Sequence, residues 1–220
     1  MQPFHLKAEI PQEEFDYQTL YGVLHDYAAP RDKITSLIKQ GVIIRVKKGI
    51  YVFGRAWRQR PYSSEILANL IYGPSYISLE SALQIYGLIP ERVSVVMSVT
   101  TGRSRLFSTP VGEFSYREIP MSAFSSGMDL LPNASGGTYM VAVPEKALTD
   151  KIQSERGLSI RSGREIEMYL FENLRMDAGD LSLFSVERIE EYAVRYRSHK
   201  AVRLADFVRK LQSREPQKDN

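Results

Sequence analysis

The hydrophobic period of this chain switches from 3.6 to 2 at a single glycine, within "RDKITSLIKQGVIIRVKKGIYVF", Arg31 to Phe53. A pattern of one period cannot serve the other kind of element, so the stretch must be a helix and then strands. Pro30 supplies the backbone angle that suits a first helical turn, and Gly41 the left-handed position that ends one. Between them Ile34, Leu37 and Ile38 share one face, which leaves Asp32, Thr35, Ser36 and Lys39 opposite, flanked by Arg31 and Lys33. Beyond Gly41, Val42, Ile44 and Val46 alternate with Ile43 and Arg45. Lys47-Lys48-Gly49 then turns the chain, and Ile50 to Phe53 returns as the second strand of a hairpin with a lysine-tipped loop.

Upstream, Asp16 is placed to cap a helix from Tyr17 to Tyr27, with Leu20, Val23, Leu24 and Tyr27 as its apolar stripe. Only Ala28 and Ala29 separate it from Pro30. Helix, tight link, helix and basic hairpin is the outline of a winged helix-turn-helix. In that arrangement the second helix turns its polar face to the major groove, and the hairpin tip reaches phosphates or the minor groove.

Charge supports the outline. From Pro30 to Arg60 nine basic residues face one acid, Asp32, a net of +8 in a chain whose total is +3, so the remainder sums to −5. A focused positive field attracts an extended polyanion, whereas interspersed charge mostly solvates a surface. The candidate DNA-binding residues are therefore Arg31, Lys33, Thr35, Ser36 and Lys39 on the helix, Arg45, Lys47 and Lys48 on the hairpin, and Arg55 and Arg58 just beyond it. A helix followed by a hairpin is common and a basic face is often only a wet one, so a protein-binding module with an incidental basic hairpin is the bland alternative. The conjunction of tight link, glycine stop, basic tip and segregated charge favours double-stranded DNA.

With 220 residues, 43% of them hydrophobic, the chain can fill two modest cores. The expected division is 1–60, a winged helix-turn-helix domain, and 61–220, a mixed α+β domain with C-terminal helices. Trp57, the only tryptophan, is expected to pack the seam between them while its neighbouring arginines stay wet. Ser64 to Tyr72 reads as a helix stopped by Gly73-Pro74, and Ser78 as the cap of a helix carrying Glu80 in its first turn. "VSVVMSVTT", "RLFST", "EFSYREI" and "TYMVAV" read as strands, Met121 to Gly137 as an irregular loop, and "PEKALTDKI" as a helix opened by proline. "GREIEMYLFENLRM" and "SVERIEEYAVRYRSHKAVRLADFVRKL" carry helical spacing; the basic residues of the second are read as solvated, and "SREPQKDN" as frayed.

No apolar run reaches membrane-spanning length, and "MQPFHLKAEIPQEEF" lacks the basic start and apolar segment of a secretory signal, so a soluble cytoplasmic protein is expected. Zero cysteines remove disulfides, thiolate metal sites and thiol nucleophiles together. His5, His25 and His199 have no ligand spacing, and no phosphate loop or nucleophile elbow appears, so no catalytic residue, metal or cofactor is expected. Glu145, Lys146, Asp150 and Lys151 would be the material for a metal-dependent nuclease, but Glu145 and Asp150, five apart, do not share a helix face.

The segments "LIKQGVIIRVKKGIYVF", "PSYISLESALQIYGLIPE", "SVTTGRSRLF" with "GEFSYREI", and "VAVPEKALTDKI", in this order and spacing, resemble the AbiEi-like antitoxins of type IV abortive-infection toxin–antitoxin systems. The resemblance runs from about Asp16 to Ile152, with two helices clear before the hairpin. It implies an N-terminal winged helix that represses its own operon by binding promoter repeats, where a homodimer on DNA would fit. It also implies a C-terminal domain that counteracts a nucleotidyltransferase-type toxin without a stable complex. A solitary winged-helix regulator with no toxin partner is the alternative.

Overall fold

The computed structural model describes residues 3–134 and 136–214. The protein is α+β with a helical C-terminal part, and its strands form two sheets. Helix α1 (Pro3–Glu9) leads into β1 (Glu14–Asp16), α2 (Tyr17–Leu24) and α3 (Pro30–Lys39), followed by the hairpin β2 (Ile43–Lys47) and β3 (Ile50–Phe53). The first three strands make an antiparallel sheet in the order β1-β3-β2. Asp16 caps α2 as expected, accepting the Thr19 amide at 2.8 Å. The helix stops at Leu24 rather than Tyr27, because the His25 ring engages the Gly22 carbonyl and the Tyr27 amide turns back to Leu24. Gly41 sits at φ 68° and ends α3. Gly54 passes so close to Gly41 that a Cβ there would strike its carbonyl, so the crossing admits only glycine.

Each face of the small sheet belongs to a different core. Ile43, Tyr51 and Phe53 point to a cluster built with Leu6, Phe15, Leu20 and Leu37, while Val46 and Val52 belong to the large cluster of the rest of the chain, with Ile44 and Ile50 packed on it. Period-two alternation thus puts successive side chains into two cores. Trp57 packs on the smaller cluster.

The larger unit opens with α4 (Ser64–Ile71), β4 (Ser75–Ile77) and α5 (Leu79–Ile85), then β5 (Val95–Thr100), β6 (Arg105–Thr109) and β7 (Gly112–Glu118). Helix α6 (Met121–Phe124) precedes β8 (Met128–Pro132), β9 (Thr138–Ala142) and α7 (Pro144–Ser154). The six strands order as β6-β7-β5-β4-β9-β8, with β5/β7 and β4/β9 parallel and the other pairs antiparallel. Part of the stretch expected to be an irregular loop is strand β8, because β9 offers it a full edge from Met128↔Ala142 to Pro132↔Thr138. Strands β1 and β4, three residues each, are too short to show a period. The chain ends in α8 (Gly163–Met168), continued by a π-helical turn over Tyr169–Asn173, then α9 (Ala178–Ser182), α10 (Val186–Tyr196) and α11 (His199–Arg214). Helix α11 carries Ser213 and Arg214, so the expected fraying does not begin there; its remainder lies outside the described residues.

The two units are tied at β1. Buried Glu13 pairs with buried Lys7 at 3.0 Å and accepts the amides of Gln59 and Arg60 at 3.0 and 3.1 Å, while Glu14 accepts the amide of Ser63, the cap of α4. Burial raises the Glu14 carboxyl above its ordinary range, with the Ser63 amide opposing.

The Asp16 cap yields a test. Asp16→Ala should lower unfolding free energy by about 1 kcal/mol, read from urea melts, and Asp16→Asn should keep most of it. The Thr19 amide holds the Asp16 carboxyl below its ordinary 3.8, so the cap contributes fully above that value and fades as pH falls through the lower folded value. An unchanged acid limb in Asp16→Asn would show that the cap charge contributes nothing.

Candidate nucleic-acid interface

Helix α3 is held by its apolar side and presents the other. Ile34 and Leu37 are buried, Ile38 packs behind them, and Arg31, Asp32, Thr35 and Lys39 are exposed. Ser36 is half-buried and accepts from Gln40 Nε2 at 2.8 Å, which leaves its own proton free to donate. The Thr35 hydroxyl donates to the Arg31 carbonyl at 3.0 Å and keeps its lone pairs outward. Lys33, half-buried, leans its ammonium over the Tyr27 ring at 5.5 Å and so braces the α2–α3 link.

On the hairpin, Arg45 and Lys48 are exposed. Among the described residues Arg31, Lys39, Arg45, Lys48 and Arg55 have no ion-pair partner. Arg58 is half-buried and sets its guanidinium 5.3 Å from the Tyr62 ring centre.

Lys47 departs from the expectation of a wet hairpin tip. A bulge between Arg45 and Lys47 breaks the register, and the Lys47 ammonium turns back to donate to the Ile71 carbonyl at 2.7 Å, above the Phe107 ring at 4.5 Å. Desolvation there, with the Arg105 guanidinium beside it, lowers the ammonium below its ordinary range. The tip is pinned from the other side too, because the Tyr17 amide donates to the Gly49 carbonyl at 2.8 Å. Lys47 is therefore a clamp between the small sheet and the larger unit, and Lys48 alone of the pair faces outward.

A residue pair that periodicity did not single out completes this surface. Tyr17 and Tyr21 stack at 5.7 Å, Tyr21 being 42% exposed, and line a groove with Ala29, Pro30, Arg31 and Asp32 at the start of α3. The available signal was two tyrosines four apart on α2, Tyr17 at the edge of its apolar stripe and Tyr21 beyond it.

The nuclease candidates have other employment. Lys146 and Asp150 are ion-paired at 0% exposure, and Asp150 also accepts from Tyr196 at 2.6 Å and Ser78 at 2.7 Å. Three tyrosine rings surround the ammonium: Tyr196 at 5.1 Å, Tyr76 at 5.5 Å and Tyr192 at 5.9 Å. Burial lowers the Lys146 ammonium, with Asp150 opposing, and raises the Tyr196 hydroxyl far above its ordinary range. Ser78 therefore spends its hydroxyl on Asp150, and α5 begins without the side-chain cap expected of it. Glu145 is buried and accepts the Ser185 amide at 3.0 Å, fixing the start of α10. Lys151 bridges Glu80 at 2.6 Å and Glu155 at 2.7 Å. The i,i+4 placing of Lys146 and Asp150 was the signal for the pair, but nothing local showed that it would be buried.

Among the described residues no group of three His, Cys, Asp or Glu could hold a metal ion, and no helix is long and apolar enough to cross a membrane. No protein-family model matches the chain, and a search of curated proteins finds no significant match.

Two pairs of substitutions test these assignments. Lys47→Ala should cost about 1 to 2 kcal/mol of stability, the value of a charge-assisted hydrogen bond with a ring contact, whereas Lys48→Ala should stay within about 0.5 kcal/mol. Equal melts for the two would remove the clamp. Lys146→Met should cost about 3 to 5 kcal/mol by stranding the Asp150 carboxylate, and adding Asp150→Leu should recover much of it. A double variant no more stable than the single would show that the pair is not the unit.

Proposed function

We propose that the N-terminal unit is a winged helix that binds double-stranded DNA, with α3 as the recognition helix and β2–β3 as a short wing. The observation that carries the reading is the exposed α3 face, where Arg31, Thr35 and Lys39 stand in solvent on a helix whose other side is locked in a core. Helix α1 supplies a third helix before the hairpin, in keeping with the three-helix form of this motif. Thr35, Ser36 and Lys39 are the donors and acceptors for base edges; Arg31, Arg45, Lys48, Arg55 and the Tyr17–Tyr21 pair are suited to phosphates. Lys33 and Arg58 act through packing, and Lys47 through the clamp.

The order and spacing of the motifs from Asp16 to Ile152 support a role as autorepressor and antitoxin of a type IV system, acting in the cytoplasm against a nucleotidyltransferase-type toxin. Repression then belongs to residues 1–60 and toxin neutralisation to residues 61–220. An adjacent reading frame of nucleotidyltransferase type supports the pairing; without one, the protein is a solitary regulator.

Arg31, Arg45, Lys48 and Arg55 as phosphate contacts give an expected slope of log affinity against log salt of about −4 on promoter DNA, since each phosphate contact contributes about −0.9. Arg45→Ala with Lys48→Ala should flatten it by about 2. Replacing Thr35 or Ser36 should change sequence preference, at about 1 to 3 kcal/mol per good contact, whereas replacing Lys48 should weaken all sequences alike. Lys39→Glu with Lys48→Glu should abolish promoter binding and still protect cells that express the toxin. Affinity independent of salt would refute DNA binding, and loss of protection in that folded variant would refute the division of roles.

A further inference from the structure

The C-terminal helices α10 and α11 form an antiparallel pair joined at Arg197 and Ser198, with Arg197 in the left-handed region at φ 52°. Their inner sides close the large core through Ile189, Leu204 and Val208. Their outer sides leave an open groove of about 590 Å³. Val194 is 77% exposed at its centre on α10, and Val202 is 46% exposed opposite it on α11.

The charge around these valines is ordered. On α10 the stripe reads Glu190, Val194, Arg197; on α11 it reads His199, Val202, Asp206. Because the helices run in opposite directions, Arg197 and His199 share the turn end, and Glu190 and Asp206 share the other. Lys200 adds nothing to the turn end, since its ammonium turns inward to the Ile152 carbonyl at 3.3 Å. At the acidic end Arg209 contacts both Glu190 and Asp206, and Glu187 adds a further carboxylate one turn away. Arg203, 3.8 Å from Asp206, lies on the flank. The patch is basic, apolar and acidic in sequence along one line.

Such a line is complementary to its own reverse. A twofold axis crossing both helices at the level of the valines sets each valine on its counterpart and each basic end on an acidic end. A twofold axis along the helices would instead oppose Arg197 to His199. Isologous pairing needs this kind of self-complementary patch. We propose that the α10–α11 groove is where two copies of this chain associate, groove to groove about the crossing axis, with Arg197 opposite the partner's Glu190. Helix α10 is about 16 Å long, so this face falls short of the about 800 Å² per partner of a standard interface, and the dimer is weak. The proposal stands on this surface and is independent of the DNA reading.

Sedimentation of the full chain across a concentration series should show a monomer–dimer equilibrium. Val194→Asp and Val202→Asp should each weaken it by at least about tenfold without altering the circular dichroism spectrum. Arg197→Glu and Glu190→Arg should each dissociate it alone, and an equimolar mixture of the two should associate again, because both contacts of the mixed pair are then between opposite charges. The chain has no cysteine, so Val194→Cys should form a disulfide-linked dimer under oxidation, and Arg103→Cys on an exposed loop should not. A chain that stays monomeric throughout, a mixture that fails to recover, or cross-linking equal at both positions would overturn the proposal. So would a groove occupied by a different protein, which leaves Val194→Cys unlinked.

Discussion

A four-residue strand with both faces buried is the constraint on which the rest depends. In β3, Tyr51 and Phe53 reach one core while Ile50 and Val52 reach the other, so the small sheet is a shared wall rather than an appendage. A strand's alternation makes this possible, and it makes slippage costly, because a one-residue shift would exchange the two sets. The outward basic face of α3 inherits its position from that wall through Val42 and Leu37, whose backbones bond to each other at 3.0 Å.

Polar groups then fasten what the apolar faces position. Glu14 and Lys47 each spend a charge on backbone groups across the junction, and Glu13 on the amides of Gln59 and Arg60 that lead into it, at sites where an unpaired amide or carbonyl would be expensive. Deeper in, Lys146 and Asp150 join the sheet, α7 and the C-terminal helices through Ser78 and Tyr196. A buried pair of this kind is weak evidence for net stability and a severe penalty for losing one member. What it specifies is geometry: α10 must arrive with Tyr192 and Tyr196 on the ammonium. Desolvation pushes the Tyr192 hydroxyl up to about 12, with Glu145 adding to the effect.

The consequence for function is mechanical. A hairpin pinned to the larger unit through Lys47, and to α2 through Gly49, cannot swing independently, so the polyanion proposed for α3 would meet a surface already set in place. Preorganisation of this kind lowers the ordering cost of binding. The groove between α10 and α11 lies on a different part of the chain from that surface, so the proposed association and the proposed recognition would be altered separately.

The helices and strands around Gly41 were legible because local chemistry specifies them: proline at the first turn, Asp16 as cap, glycine at positive φ, and a period that switches from 3.6 to 2. The exposed set Arg31, Thr35, Lys39, Arg45 and Lys48 followed from the same periods, since a face opposite an apolar stripe is a wet one. Lys47 could not be read this way. Its strand position made it a tip residue, and only the approach of Ile71 and Phe107 from far along the chain, together with a bulge, turned it inward. Ser78 stood where a cap belongs until Asp150 arrived from 72 residues away. Residues whose partners lie within a helical turn carry their structure in the sequence; those whose partners arrive from distant segments acquire theirs only when the cores close, because burial decides which polar group must find which other.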